Sequence, residues 1–199
     1  MRIVAGAAKG RRLTAPPGAD VRPTADRVKE ALFSSLQGVV PGARVLDLYA
    51  GSGSLGLEAL SRGASSVTFV ERHGRTLEAL RRNVAAVGLP GATVVPGDVH
   101  AVLAGGPPGA PFDLVLVDPP YREPAASLER VLAALVAHLA PGAVVVVERA
   151  ARDGAPRWPD DLLPEGARRY GDTALHRAAL VTVGSADVAD GATEREFDT

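Results

Sequence analysis

The sequence predicts a doubly wound α/β domain built on a mostly parallel sheet of seven strands. Short Val- and Leu-rich runs alternate with longer helical stretches, and the runs lack strict polar alternation, which is typical of parallel strands covered on both faces. A glycine-rich turn joins the first of these runs to a helix, as in many α/β ligand-binding domains. The last two runs lie too close together for a crossover connection, so they should pair antiparallel as a C-terminal hairpin.

The elements follow one another in a regular order along the chain. Residues 41–183 should form the ligand-binding domain, preceded by an N-terminal arm or hairpin and a helix within residues 1–40. The link at 97–111 has room for only a short helix. The predicted strands are 44–49, 66–71, 92–95, 112–118, 143–148, 168–170 and 178–183, and the predicted helices are 25–37, 54–62, 73–87 and 124–139.

Composition limits the function classes. The chain has 199 residues, of which 46% are hydrophobic, 23% are charged and none is cysteine. The absence of cysteine excludes thiolate zinc sites, a cysteine nucleophile and disulfides, and the four scattered histidines do not suggest a metal site. No apolar run approaches the ~18 residues of a membrane span, and the first residues lack a signal-peptide core. We therefore expect a cytoplasmic protein with no metal and no membrane partner.

Charge is distributed unevenly between the two ends. Residues 1–40 contain seven basic and three acidic side chains, whereas residues 184–199 contain five acids and one arginine. The basic end predicts an anionic partner, and the acidic end is expected to be a disordered tail. The candidate residues for binding this anionic partner, which would be RNA if the resemblance described below holds, are Arg2, Lys9, Arg11, Arg12, Arg22, Arg27 and Lys29.

The turn after the first strand contains the pattern G-x-G-x-x-G at Gly51, Gly53 and Gly56, and Glu71 follows the second strand. Glycines allow a tight turn and a close approach of the backbone to a ligand. This pattern alone also fits a dinucleotide site. The turn lacks the lysine of a phosphate-binding P-loop, and neither of its serines stands in the G-x-S-x-G pattern of a nucleophile elbow.

Acidic residues at the strand ends favour a cationic ligand over a dinucleotide. Asp47, four residues before Gly51, would repel a pyrophosphate but suits the ammonium and sulfonium groups of S-adenosylmethionine. Glu71 can accept hydrogen bonds from both ribose hydroxyls, and Asp98 can accept one from the adenine amine. The predicted cofactor-binding residues are Asp47, Tyr49, Gly51, Ser52, Gly53, Glu71, Arg72, Asp98 and Val99.

The fourth strand ends in Asp118-Pro119-Pro120-Tyr121, which we predict to be the catalytic turn. Two prolines fix the backbone and remove two donors, so acceptors and an aromatic ring face the ligand. A carboxylate and a carbonyl can hold an exocyclic amine, and the tyrosine ring can stack on an unpaired base.

These motifs resemble those of class I S-adenosylmethionine-dependent amino-methyltransferases, which have a Rossmann-like fold. The basic segment from Arg2 to Arg11 and the run R-P-T-A-D-R-V-K-E at 22–30 resemble the bacterial 16S ribosomal RNA guanine-N2 methyltransferases. The resemblance covers residues 2–183. It implies methylation of one guanine in an assembling 30S subunit, with S-adenosylhomocysteine as product. It also implies that Asp47 and the glycine turn hold the methionine moiety, Glu71 the ribose and Asp98 the adenine. We expect a monomer.

Three alternatives remain open from the sequence. The D-P-P-Y turn is shared with enzymes that methylate adenine N6 in DNA or RNA. The glycine pattern alone would fit a nicotinamide-dependent oxidoreductase. A non-catalytic RNA-binding assembly factor could also retain a cofactor pocket.

Overall fold

A computed structural model describes residues 1–15, 24–120 and 122–181. Its helices are α1 (Thr24–Ser35), α2 (Ser54–Ser61), α3 (Gly74–Val87), α4 (Val99–Gly105) and α5 (Ala125–Leu135), and a 3-10 turn (Val136–His138) follows α5. Its strands are β1 (Arg44–Leu48), β2 (Ser66–Glu71), β3 (Ala92–Pro96), β4 (Phe112–Val117), β5 (Leu139–Ala150), β6 (Leu162–Tyr170) and β7 (Thr173–Leu180).

The strands form one seven-stranded sheet in the order β3-β2-β1-β4-β5-β7-β6. The pairings among β1 to β5 are parallel, and β7 pairs antiparallel with both β5 and β6. The predicted doubly wound sheet with a C-terminal antiparallel hairpin is thus confirmed. The chain reverses its direction of winding between β1 and β4, which is where open α/β sheets bind ligands.

Two hydrophobic layers cover the sheet, because successive strand residues point to opposite faces. Leu114 and Leu116 of β4 pack with α1, α2 and α3, whereas Val115 and Val117 pack with α4 and α5. Both faces are therefore buried, as the continuous apolar runs predicted. In the described ranges, no helix is long and apolar enough to cross a membrane.

The C-terminal strands differ most from the prediction. β5 starts four residues earlier than expected, β6 covers Leu162–Tyr170 instead of 168–170, and β7 covers Thr173–Leu180 instead of 178–183. The β6 strand lies at the sheet edge and is exposed over most of its length. Its sequence therefore carries few of the buried apolar residues on which the prediction depended.

The N-terminal segment is docked on the domain and does not form a free arm. Arg2 and Arg12 form an antiparallel bridge, and the chain between them turns through residues 5–10. Ile3, Ala8 and Leu13 are buried in the same core as α1, α2 and α3. The boundary that we predicted at residue 40 therefore does not separate two cores, and the predicted tail 184–199 lies outside the described residues.

Glu58 of α2 is the buried anchor of this segment. Its fully buried carboxylate accepts hydrogen bonds from the backbone N–H groups of Val4 (2.7 Å) and Ala5 (3.0 Å). It also pairs with Arg62 at 2.8 Å and with Lys29 of α1 at 3.5 Å. One side chain thus joins the N-terminal segment, α1 and α2.

Lys29 does not have the role that we predicted for it in binding RNA. Its side chain is only 4% exposed, and its ammonium donates to the carbonyl of Arg2 (2.6 Å) and to the hydroxyl of Ser54 (3.2 Å). Burial lowers the pKa of Lys29, and the charge of Glu58 opposes that shift. Lys29 is therefore a structural cation and is not available to a phosphate.

Replacing Glu58 by alanine should strongly destabilise the fold. The change would leave the Lys29 ammonium buried without its carboxylate and would remove the acceptor of two backbone N–H groups. We expect a loss of about 3–5 kcal/mol in the free energy of unfolding, measured by urea denaturation. Glu78→Ala, at an exposed position of α3, should cost less than about 0.5 kcal/mol. Equal stability of the two variants would contradict the role of Glu58 as the buried anchor of the N-terminal segment.

Candidate active site

A cleft of about 280 Å³ lies at the carboxyl ends of the first five strands. This volume is close to the lower end of ligand pockets, roughly 300 Å³. The cleft combines backbone, apolar and acidic groups from several parallel strands that end at the same edge. Its lining residues are Tyr49, Val70, Glu71, Arg72, His73, Gly97, Asp98, Val99, Asp118, Pro119, Pro120 and Glu148.

The glycine turn forms one end of this region, next to Tyr49. Gly51 and Gly53 have left-handed backbones, with φ of 58° and 79°. At Gly56 the reason for glycine is space, since a Cβ atom there would lie 2.3 Å from the ring of Phe69. Gly51, Ser52 and Gly53 are not among the described residues that line this cleft, so their contact with a cofactor stays a prediction.

Asp47 lies beneath the turn and is 2% exposed. Its Oδ2 accepts a hydrogen bond from the backbone N–H of Gly56 at 2.9 Å. Burial raises the pKa of Asp47 to about 8, with the Gly56 N–H acting against that rise and the charge of Glu71 adding to it. The carboxyl therefore fixes the start of α2. Asp47 is not among the described residues that line the cleft, and its contact with a ligand stays a prediction.

Glu71 does line the cleft, at the end of β2. Its Oε2 accepts a hydrogen bond from the N–H of Gly51 (3.0 Å), and its Oε1 accepts one from the N–H of His73 (2.8 Å). Each carboxylate oxygen has a second lone pair, so Glu71 can still accept two ligand hydroxyls while it holds the glycine turn.

Arg72, Asp98 and Val99 form the wall beyond Glu71. The guanidinium of Arg72 lies 3.2 Å from the carboxylate of Asp98, and both side chains are about half exposed. Asp98 also caps α4 by accepting a hydrogen bond from the N–H of His100 at 3.0 Å. Val99 is buried at the start of this helix. Cap and ion pair together fix the Asp98 carboxylate at the cleft.

Tyr49 follows β1 with an unusual backbone. Its φ of 59° is left-handed, which is uncommon for a residue other than glycine. Its hydroxyl is buried and has no hydrogen-bond partner among the described residues. Burial raises the pKa of this hydroxyl, and the charges of Glu123 and Asp98 add to the rise. A strained backbone and an unpartnered hydroxyl do not stabilise the fold. They therefore make Tyr49 a candidate for contact with a ligand in the cleft.

Asp118, Pro119 and Pro120 line the cleft on its opposite side, at the end of β4. The predicted Tyr121 lies outside the described residues. The protein atoms packed around Asp118 raise the pKa of its carboxyl, and the charges of Glu148 and Asp47 raise it further. Asp118 nevertheless has an exposed surface, so solvent offsets part of that desolvation.

Sequence reasoning missed several residues of this region. His73 and Gly97 line the cleft next to predicted residues, and their adjacency to Arg72 and Asp98 was the available signal. Asn83 is buried in α3, where its amide donates to the carbonyls of Ser52 (2.8 Å) and Thr14 (3.0 Å). No local pattern points to Asn83, because its partners lie on segments distant in sequence.

The basic residues of the N-terminal part divide into two groups. Lys9, Arg12 and Arg27 are exposed, and they remain candidates for binding a polyanion. Arg2 is exposed but pairs with Asp26 at 3.2 Å, and the guanidinium of exposed Arg11 donates to the carbonyl of Ala86. Arg22 lies outside the described residues.

The arrangement suits a cationic ligand that carries hydroxyl and amine donors. Glu71, Asp98, Asp118 and Glu148 place four carboxyl groups around one cleft, with Arg72 as the one arginine or lysine among its described lining residues. A pyrophosphate would be repelled by this set. No group of three or more possible metal ligands is found among the residues that the structure describes.

Comparisons with known proteins agree with this architecture. Ribosomal RNA small subunit methyltransferase D of Escherichia coli K12 is 39% identical over 161 residues, which cover 80% of this chain and 79% of that protein. A solved Escherichia coli protein described as a candidate methyltransferase superposes with a TM-score of 0.80 at 34% identity, covering 92% of this chain and 98% of the other. A hypothetical protein of Thermus thermophilus gives a TM-score of 0.75 at 32% identity, with 89% and 98% covered.

The family profile described as "Conserved hypothetical protein 95" matches residues 1–178, which is most of the chain. The matched range includes the N-terminal segment and every residue that lines the cleft. The chain therefore belongs to this family, the family of ribosomal RNA small subunit methyltransferase D.

Proposed function

We propose that the protein transfers the methyl group of S-adenosylmethionine to the exocyclic N2 amine of a guanine in small-subunit ribosomal RNA. The observation that carries the proposal is the rigid Asp118-Pro119-Pro120 turn, which lies on the same cleft as Glu71 and Asp98 at the switch point of the sheet. The name of the Escherichia coli relative, a small-subunit ribosomal RNA methyltransferase, supports the RNA as substrate.

The cleft fits the proposed cofactor in charge and in hydrogen bonding. Glu71 would accept the ribose hydroxyls and Asp98 the adenine amine, and Tyr49 offers a buried hydroxyl without a partner among the described residues. Asp47 would act by holding the glycine turn and by its negative potential once ionised, because a nearby cation lowers the pKa of a carboxyl.

S-adenosylmethionine supplies a methyl group on a sulfonium sulfur, an electrophile that needs no metal. The lone pair of a guanine N2 amine is delocalised into the ring, so the protein must orient it. The Asp118 carboxylate and the carbonyl groups of the proline turn can accept the two amine hydrogens and direct the lone pair at the methyl carbon. Most of the acceleration would then come from positioning. The amine proton would become acidic as the N–C bond forms and the bond between sulfur and the methyl carbon breaks, with S-adenosylhomocysteine as the leaving group. Asp118 or water can take this proton.

Each alternative function is less well supported. A nicotinamide-dependent oxidoreductase would bring a pyrophosphate into a cleft with four carboxyl groups. A non-catalytic assembly factor would have no need of the fixed acceptors of the proline turn. Methylation of adenine N6 uses the same turn, and the position of a transferred label on the base separates it from guanine methylation. We further propose that the protein acts as a cytoplasmic monomer on an assembling 30S subunit.

The cofactor role of Glu71 can be measured directly. Glu71→Ala should weaken the binding of S-adenosylmethionine by about 1.5–3 kcal/mol, because it removes hydrogen bonds to a charged group. Isothermal calorimetry gives this value, with Glu78→Ala on the exposed face of α3 as the matched control and NAD as the control ligand. Tight NAD binding without any response to S-adenosylmethionine would contradict the cofactor assignment.

Transfer of a tritiated methyl group to naked 16S ribosomal RNA, immature small subunits and DNA tests the reaction itself. We expect label on guanine N2 of the RNA and none on DNA. Asp118→Ala should reduce the rate by on the order of 10²-fold, because it removes a positioned polar group, while S-adenosylmethionine affinity changes little.

The control for this experiment is Asp160→Ala, since Asp160 is an exposed residue before β6. Its rate should equal that of the unmodified protein. A wild-type rate in Asp118→Ala at saturating RNA would rule out the proposed amine-positioning role, and label on adenine alone would favour the adenine enzyme.

The exposed basic residues should control RNA docking without affecting cofactor binding. Each lost phosphate contact reduces the slope of log K against log salt by roughly 0.7–0.9, so changing Lys9 and Arg12 to alanine should reduce it by about 1.4–1.8. Salt-titrated binding of small-subunit RNA measures the slope. Changing Arg130 and Arg157, two exposed arginines outside this segment, is the matched control and should leave it unchanged. An unaltered slope of log K against log salt in the Lys9 and Arg12 variant would show that the RNA binds at another part of the surface.

A further inference from the structure

Glu148 lies beside Asp118 at the edge of the sheet where the cleft opens. Val117, the last residue of β4, pairs with Val147 of β5 in parallel register, and the residue that follows each of them is an acid. Neighbouring strands lie about 4.8 Å apart, and paired residues point to the same face. The two carboxyl groups lie near each other, because both line the same cleft and the same adjoining pocket.

Both side chains line the cleft together with Pro119 and Pro120, and both also line a smaller adjoining pocket that contains Glu123. Glu148 is half-buried and Asp118 is exposed to the cleft. The charge of Glu148 is one of the causes that raise the pKa of Asp118, so the two groups interact electrostatically. Two carboxyl groups held this way suit a ligand that brings two neighbouring hydrogen-bond donors.

Guanine presents such a pair on one edge. Its N1–H and its N2 amine are adjacent donors, so one carboxylate can accept from each. Adenine presents its N6 amine beside N1, which has a lone pair and no hydrogen. A carboxylate that accepts the N1–H of guanine would face the lone pair of adenine N1, with two acceptors opposed and no proton between them.

We propose that Glu148 is the residue that selects guanine, by accepting the base N1–H while Asp118 holds the N2 amine. This inference rests on the proposed function and adds to it the means by which the enzyme rejects adenine. A site that hydrogen-bonds one group of its substrate strongly rejects an analogue that lacks this group. Asp118 alone could not make this distinction, since both bases offer it an exocyclic amine.

The test compares guanine with 2-aminopurine, which keeps the N2 amine but has a lone pair at N1. The methylated nucleotide is first mapped in the tritium assay, and RNA is then prepared with either base at that position. The unmodified enzyme should prefer guanine by about 10²-fold or more in kcat/KM. Glu148→Gln should reduce this preference at least tenfold, because a glutamine amide can accept from the N1–H of guanine or donate to the lone pair of 2-aminopurine.

Guanine and 2-aminopurine also differ at C6, but this difference is present with the unmodified enzyme and with Glu148→Gln alike. The change in preference between the two enzymes therefore reports the contact at N1. Glu123→Gln, a half-buried glutamate lining only the adjoining pocket, is the matched control and should keep the full preference. Each variant is assayed at saturating S-adenosylmethionine, so a change in cofactor affinity does not enter the ratio of the two substrates. Glu148→Ala serves as a second variant, and its preference should fall as well, since it lacks both the acceptor and the repelling charge.

Failure of this inference can be distinguished from failure of the proposed function. If the unmodified enzyme methylates guanine and Glu148→Gln and Glu148→Ala retain its full preference over 2-aminopurine, the role of Glu148 is wrong and the proposed function stands. If the unmodified enzyme transfers no methyl group to guanine in any small-subunit RNA, the proposed function is itself wrong.

Discussion

The buried carboxylate of Glu58 is the interaction on which the arrangement of the N-terminal part depends. A fully buried charge is tolerated only when it is paired and hydrogen-bonded, and Glu58 satisfies this condition with two backbone N–H groups, Lys29 and Arg62. Lys29 in turn reaches the hydroxyl of Ser54, the first residue of α2 after the glycine turn. The segment that presents Lys9 and Arg12 is therefore joined through buried charges to the element that shapes the cleft. Asn83 adds a second link between the same two regions, by its bonds to Ser52 and Thr14.

Most of the fold could be predicted because each helix and strand has a pattern of apolar residues within its own stretch of sequence. The runs of β1, β2 and β4 are covered on both faces and are mostly apolar. The bounds of β1 to β4 were predicted to within a residue or so. The β6 strand could not be predicted in full, because an exposed edge strand needs no apolar pattern. The docking of the N-terminal segment was missed for another reason. Its anchor, Glu58, lies more than fifty residues away in sequence, and nothing near it indicates burial.

In the candidate site, too, some features could be predicted from local sequence and others depend on residues that are distant in sequence. Residues at strand ends could be placed at one cleft by topology alone, and the structure brings Glu71, Asp98 and Asp118 together there. The direction of each side chain depends on packing that the sequence does not reveal. Asp47 turns under the glycine loop toward Gly56, and Lys29 turns inward toward Glu58. A charged residue in a basic or acidic run can face either solvent or a buried partner, and only the surrounding core decides between them.

The pairing of Val117 with Val147 has a consequence for how such a site can change during evolution. Side chains alternate between the two faces of a strand, so a one-residue insertion or deletion in β5 would bring Val147 or Arg149 to the place of Glu148. An apolar or a cationic group would then stand next to Asp118 in place of an acceptor. In the role proposed for Glu148, the chemistry offered to a base is set by the alignment of two core strands. A small slip buried inside the sheet could change which base the enzyme accepts, without any substitution at the mouth of the cleft.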